Sequence, residues 1–294
     1  MTQRALLLVN SDSRRGDSVR QQAVEHLQNM GFVLIDKSGE NPKYFPDLIR
    51  QYREQIDLVI VGGGDGSANA AVEGLLDTGL PLGILPLGTA NNLARTLGLP
   101  SSLPEACQII AQGCLHRIDL GWVNGQYFFN IASLGLSVEV NRRVSKKLKR
   151  HWGVFAYIAT ALQVIWTARP FRVEIRWDNQ LIHVKTLQIT VANGRYYGNG
   201  LVIADDAAID DQKLDLHSLE IRHWWEMLPL IPTALRGKSV TGKGVRTIRS
   251  EEIQLSTRKS YAINTDGERT TQTPARFRVI PQALSIFVPP SFKR

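Results

Sequence analysis

The segment Gly62-Gly63-Gly64-Asp65-Gly66-Ser67, set directly behind the apolar run Leu58-Val59-Ile60-Val61, constrains this chain more than any other feature. A run of strand length delivers a loop poor in side chains, and from Ser67 a helix-compatible stretch continues through Leu76. Backbone N–H groups and a helix N-terminus then converge on one spot, where a phosphate can sit. Glycines let the backbone take positive φ and approach a ligand closely, and Ser67 suits the helix cap. Asp65 is out of character. A carboxylate there repels a phosphate unless a divalent cation bridges the two, or unless the acid binds something else, such as water or a ribose hydroxyl.

The loop matches neither of the two commonest nucleotide signatures. Gly-x-Gly-x-x-Gly fails because Ser67 stands where the third glycine belongs, and Walker A fails because no Gly-Lys-Ser/Thr follows at the required spacing. Gly237-Lys238-Ser239 occurs elsewhere, but Pro232 replaces its leading glycine and no strand precedes it. Taken alone, the first loop also fits a tight strand-to-helix turn with no ligand.

With 294 residues the chain exceeds the roughly 100–150 typical of one domain, so two domains are expected. A net charge of +8 favours anionic partners without choosing among nucleotides, nucleic acid and acidic lipid. Arg142, Arg143, Lys146, Lys147, Lys149 and Arg150 form one basic cluster, and Arg236, Lys238, Lys243, Arg246 and Arg249 a looser second one. Cys107 and Cys114 have no histidine at ligand spacing and read as reduced thiols. The N-terminus runs at once into the strand-like residues 5–9, too short an apolar run for a signal peptide, so a cytoplasmic location is expected. Residues 152–168 carry no charge and barely reach across ~30 Å of hydrocarbon. A helix buried against the second domain or lying on a membrane surface suits them better than a spanning one.

Residues 5–9, 32–35, 58–61 and 82–85 are short apolar runs, each followed by polar or glycine-rich residues and then a helical pattern. Val19, Ala23, Leu27 and Met30 recur at helical spacing before Gly31, and Ser102-Leu103-Pro104-Glu105 spells a capping box for a helix reaching about Ala111. This alternation predicts an α/β N-terminal domain with a parallel, Rossmann-like sheet, binding ligands at the carboxyl ends of its strands. It is expected to span residues 1–122, with a C-terminal strand at about 283–294 returning to it. After about Leu120 the pattern changes. Residues 171–177 alternate with period two, Asp178-Asn179 turns, and 181–184 continue as the second arm of a hairpin. Runs at 187–191, 214–219, 253–255, 261–263, 277–280 and 284–288 are further strands, with helices at roughly 141–168 and 223–236. A mainly antiparallel β-sandwich domain over 123–282 is expected.

A second loop is placed like the first. Leu82-Gly83-Ile84-Leu85-Pro86 leads into Leu87-Gly88-Thr89-Ala90-Asn91-Asn92-Leu93-Ala94-Arg95, again a strand ending in a glycine and a hydroxyl residue at a helix start. Two such sites facing one crevice suit a polyphosphate, although the second loop alone also reads as a plain capped turn. Together, Gly-Gly-Asp-Gly followed downstream by Pro-x-Gly-Thr-x-Asn-x-x-Ala-Arg resembles the catalytic domain of the diacylglycerol kinase family, which includes sphingosine and ceramide kinases and the bacterial lipid kinases. The resemblance covers nearly the whole chain. NAD kinases and phosphofructokinases share only the Gly-Gly-Asp-Gly part.

The likeness implies that Gly63, Gly64, Asp65, Gly66, Ser67 and Asn69 hold ATP, with Gly88 and Thr89 closing on the phosphates. Asn10 matches a family Asn-Pro turn facing the nucleotide, and Ser38 falls near a further contact after the second strand. Three positions depart from the family pattern: Ser67 replaces threonine, Ser11 replaces proline, and Asn92 stands where aspartate is common. In Asn264-Thr265-Asp266-Gly267-Glu268, two acids flanking a glycine between strands resemble an ordinary turn. The likeness gives Glu268 the role of general base, with Asp266 as its partner. An acceptor hydroxyl must lose its proton as it attacks the γ-phosphate, and a positioned carboxylate can take it. The reaction would occur in the cleft between the domains.

Asp205, Asp206, Asp210, Asp211 and Asp215 form an acidic run that a solvated loop would also explain. Bacterial relatives carry a structural Mg²⁺ in a loop resembling residues 208–215, which implies Asp211 and the carbonyls of Ala208 and Lys213 as ligands, with Gln212 replacing the family glycine. A second Mg²⁺ would travel with ATP. The partners expected are ATP and a lipid acceptor at a membrane surface, contacted peripherally at the inner face; nucleic acid is not expected, and a homodimer stays open. The expected activity is an ATP-dependent lipid kinase acting on a diacylglycerol-like or phosphatidylglycerol-like acceptor. Its rivals are a kinase for a soluble acceptor such as NAD and a catalytically silent nucleotide-binding regulator.

Overall fold

A computed structural model of the chain describes residues 3–10, 16–143, 169–194, 196–197, 201–202, 208–221, 226, 242 and 244–292. The basic segment past Arg143, the apolar stretch at 152–168, most of the helix expected at 223–236, and Asp205 and Asp206 lie outside the described residues. The chain divides into two compact units, one of residues 1–120 with 281–294 and one of residues 121–280.

The first unit alternates strand and helix: β1 Arg4–Val9, α1 Gly16–Asn29, β2 Val33–Asp36, α2 Phe45–Tyr52, β3 Leu58–Gly63, α3 Asp65–Ala70, α4 Val72–Thr78, β4 Leu82–Pro86, α5 Asn92–Thr96, α6 Leu103–Gln112 and β5 Leu115–Val123. Its strands run parallel in the order β2-β1-β3-β4, and a last parallel bridge sets Ile286 beside Leu82. Ala5, Leu6, Leu7 and Leu8 are fully buried because helices cover both faces of such a sheet, which is why its strands read as continuous apolar runs. Ala5, Leu7, Val9, Leu58, Ile60 and Leu85 share one core with Ala23 and Leu27 of α1 and Ala106, Cys107 and Ile110 of α6. Gly74 of α4 lies so close to α2 that a Cβ there would sit 2.8 Å from the Pro46 Cα. Past α1, Gly31 has φ 90° and donates its N–H to the Gln28 carbonyl, as the glycine stop predicts. The capping box does not form. Ser102 holds the cap position, but its side chain makes no capping bond, and Pro104 offers no N–H in the first turn.

The second unit adds β6 Gln126–Phe128, β7 Ile131–Gly135, α7 Leu136–Arg143, β8 Phe171–Trp177, β9 Gln180–Thr186, β10 Gln188–Ala192, β11 Tyr196–Tyr197, β12 Leu201–Val202, β13 Leu214–Leu219, β14 Val245–Ser250, β15 Glu252–Thr257, β16 Ala262–Thr265, β17 Glu268–Gln272 and β18 Ala275–Phe287. Six strands form an antiparallel sheet in the order β14-β13-β10-β7-β16-β17. Strands β9, β8, β15 and the first half of β18 form a second antiparallel layer. Both layers supply one core: Leu134, Ile189, Val191, Leu216 and Ile263 from the first, and Val173, Ile175, Leu255 and Phe277 from the second. That is the β-sandwich the period-two patterning predicts. The strands expected at 277–280 and 284–288 are one strand, running through Pro281 and Gln282.

Candidate functional site

In the first unit the predicted residues collect at the carboxyl ends of β1 to β4. Strand β3 ends in Gly62 and Gly63, and the Gly63 carbonyl accepts the N–H groups of both Leu87 (2.9 Å) and Gly88 (3.1 Å). The two glycine loops thereby touch backbone to backbone. A Cβ on Gly88 would lie 2.4 Å from the Gly64 Cα, and one on Gly63 would lie 2.4 Å from the Ser67 Oγ. Glycine is required here for close approach, not for positive φ, since Gly64 is extended at φ −98° and ψ −170°.

Ser67 does not cap the helix. Gly64 occupies the cap position, α3 begins at Asp65, and Ser67 lies buried within the first turns with its Oγ 3.5 Å from the Asn10 Nδ2. The helix is also not continuous: it breaks at Ala71, and α4 runs on to Thr78 before Gly79 turns left-handed. The Asn10 N–H bonds the Gly62 carbonyl at 2.9 Å, and the Ser38 Oγ accepts the Val9 N–H at 3.1 Å, which holds both residues beside the loop. Ser38 also donates its N–H to Asp36 at 2.8 Å, and Arg20 pairs with the same carboxylate. Burial pushes the Asp36 carboxyl upward, but the hydrogen bonds from Ser38 and Arg20 outweigh it and hold the group below its ordinary value. Asn69 is half-buried in α3, while Gly66, Gly88 and Thr89 are exposed.

Asp65 has a partner that the sequence does not announce. Its carboxylate accepts the N–H groups of Asn92 (3.0 Å) and Leu93 (2.9 Å), and the Asn92 Nδ2 at 3.3 Å. The acid therefore caps α5 from the other loop, where a negative charge meets the positive end of the helix. The residue at the cap position, Asn91, has φ 49°, and its own Nδ2 is turned to the Pro86 and Gly88 carbonyls. Asn92 suits this arrangement because its amide donates to Asp65, whereas an aspartate would set two carboxylates against each other. With the charge of Asp65 engaged, the exposed side of the loops is mostly bare backbone.

In the second unit Asp266 and Gly267 form the two-residue loop between β16 and β17, both with positive φ, at 47° and 97°. Such a turn needs residues that tolerate the left-handed region, and Asp-Gly is among the best. The Asp266 carboxylate accepts the N–H groups of Phe129 (2.7 Å), Asn130 (3.0 Å) and Ile131 (3.1 Å), while its own N–H bonds the Ile131 carbonyl at 2.8 Å. The turn is thus pinned to the start of β7, and Glu268, the first residue of β17, projects from it exposed. Asn193 closes the same corner by donating its Nδ2 to the Phe129 carbonyl at 2.8 Å. Sequence reasoning assigned no role to Asn193 or Asn130, both 2 % exposed, and only their place in the fold reveals one.

In the loop implied to hold a structural Mg²⁺, the Asp211 carboxylate is engaged within the chain. One Asp211 oxygen accepts the Lys213 N–H at 3.0 Å, and the other pairs with the Arg249 guanidinium, which also reaches Asp215 at 3.8 Å. A cation of the chain already balances the carboxylate. Gln212 takes φ 61°, the conformation a glycine would adopt without strain. Among the described residues no group of three His, Cys, Asp or Glu side chains is placed to hold a metal ion.

The chain is similar to known proteins along most of its length. Residues 4–123 match the model of the diacylglycerol kinase catalytic domain, and residues 130–288 match that of the YegS C-terminal NAD kinase beta sandwich-like domain. A diacylglycerol kinase of Bacillus subtilis is 31% identical over 80% of this chain and 78% of its own. A "Probable lipid kinase YegS-like" of Chromohalobacter salexigens is 32% identical over 96% of this chain and 92% of its own. A crystal structure of a candidate diacylglycerol kinase from Bacillus anthracis superposes with a TM-score of 0.84 at 25% identity, covering 99% of this chain and 97% of that one.

Proposed function

The chain belongs to the diacylglycerol kinase family of lipid kinases, with a YegS-type C-terminal domain, and on that premise we propose that it transfers the γ-phosphoryl group of ATP to a lipid hydroxyl. The observation that carries this reading is the contact of Gly64 with Gly88, made while α5 engages the only carboxylate in either loop. Two backbones then face a polyphosphate with no side chain between them and little negative charge to repel it. Asn10 and Ser38 border the same strand ends, and Thr89 supplies a hydroxyl beside Gly88.

Glu268 is the general base. As the acceptor oxygen bonds to the γ-phosphorus, its proton passes to the Glu268 carboxylate, and the β–γ bridging oxygen leaves with ADP. Asp266 does not touch the reacting atoms in this scheme; it holds the turn that aims Glu268. Mg²⁺ bound with ATP would supply positive charge that offsets the charge of the phosphates. The acceptor is diacylglycerol-like or phosphatidylglycerol-like and is met at a membrane surface. Among the described residues no helix is long and apolar enough to cross a membrane; the proposed contact with the lipid is peripheral.

The test is label transfer from γ-phosphate-labelled ATP and Mg²⁺ to vesicles containing diacylglycerol, phosphatidylglycerol or a sphingoid base, with NAD offered in solution. Label in a lipid product is expected. Label on NAD alone, or on nothing, would overturn the reading.

A further inference from the structure

We propose that Arg95 clamps the nucleotide polyphosphate, a role that rests on the ATP reading above and extends it to a residue outside the glycine loops' backbone. Arg95 is the only cationic side chain in either loop segment, residues 62–67 or 86–95. Its Nε donates to the Ala90 carbonyl at 3.0 Å, which holds the guanidinium against the turn that carries Gly88 and Thr89. Its backbone N–H is fixed as well, to the Asn91 carbonyl at 3.0 Å.

Among the described residues Arg95 is exposed and has no ion-pair partner, whereas Arg20, Arg50, Arg246 and Arg276 each lie against a carboxylate. Asp65, the carboxylate of the first glycine loop, is bonded to the Asn92 and Leu93 N–H groups. An arginine has five N–H donors in a planar fork, and tethering it through Nε leaves the four on its two terminal nitrogens for phosphate oxygens. The tether also removes part of the side-chain entropy that an untethered arginine would lose on binding. A lysine could supply the charge but neither the tether nor the fork.

The experiment compares the affinities of ATP, ADP and adenosine for the wild type, Arg95→Gln and Arg95→Lys by ligand-observed NMR. Arg95→Gln is expected to weaken ATP and ADP at least about tenfold while adenosine stays within about twofold, with Arg95→Lys in between. Unchanged ATP affinity in Arg95→Gln would overturn the inference, as would an equal loss for adenosine, the signature of a merely structural role. A wild type that binds no ATP would overturn the ATP reading itself, and the clamp with it.

Discussion

Asp65 and Asp266 do the same work in different halves of the chain, each turning a carboxylate onto backbone N–H groups of a distant segment. Bonds to a charged acceptor contribute more than neutral ones, and donors left buried without a partner cost further. Asp65→Ala is therefore expected to destabilise the chain by about 2–3 kcal/mol, read as a lower urea midpoint at unchanged slope, with Asp65→Asn recovering part of the loss. The sequence marks both aspartates as important but not the reason. The donors to Asp65 lie 27 and 28 positions away and those to Asp266 up to 137, distances at which no local pattern reports a contact. Asp36 gives a pH dependence. Its folded pKa is depressed, so its contribution is complete above the unfolded value of about 3.9 and disappears as pH falls through the folded one. Thermal melts between pH 5 and 2 should show a shallower acid limb in Asp36→Asn than in the wild type.

At the scale of elements, periodicity was the readable part. The parallel strands of the first unit are continuous apolar runs, and the β8–β9 hairpin announces itself by alternation around Asp178-Asn179, whose φ angles of 41° and 63° fit the two-residue turn. A matching hairpin, β5–β6, lacks that alternation, although Asn124-Gly125 with φ 47° and 88° is an equally good turn signal. Only Gly121, Trp122 and Val123 of β5 pair with β6, and the Phe128 ring lies over Gly121. The Asp266-Gly267 turn carries a functional consequence. Gly267 at φ 97° admits a side chain only with strain of roughly 1–2 kcal/mol, and relief of that strain moves Glu268. Gly267→Ala should lower lipid phosphorylation by an order of magnitude or more while ATP affinity stays near wild type, a split visible in kcat against nucleotide Kd.

For the whole molecule, the change from strand–helix alternation to period-two strands announced two architectures in sequence order, and the structure has both. The path of β18, which belongs to the second unit at Phe277 and bridges to Leu82 at Ile286, is not a local property, and Pro281 in its middle makes it read as two strands. The two glycine loops were legible because they depend on glycine and on strand ends. The role proposed for Glu268 rests on likeness to a family alone, since an Asp-Gly-Glu turn has an ordinary structural use, which the Asp266-Gly267 turn fulfils here. In the proposed reaction Glu268 takes the proton of the acceptor hydroxyl. That role is tested most directly by the initial rate of labelled-lipid formation at saturating ATP in Glu268→Gln. A fall of at least about a hundredfold is expected, with ATP affinity within about twofold of wild type; a rate close to wild type would contradict the proposed role of Glu268.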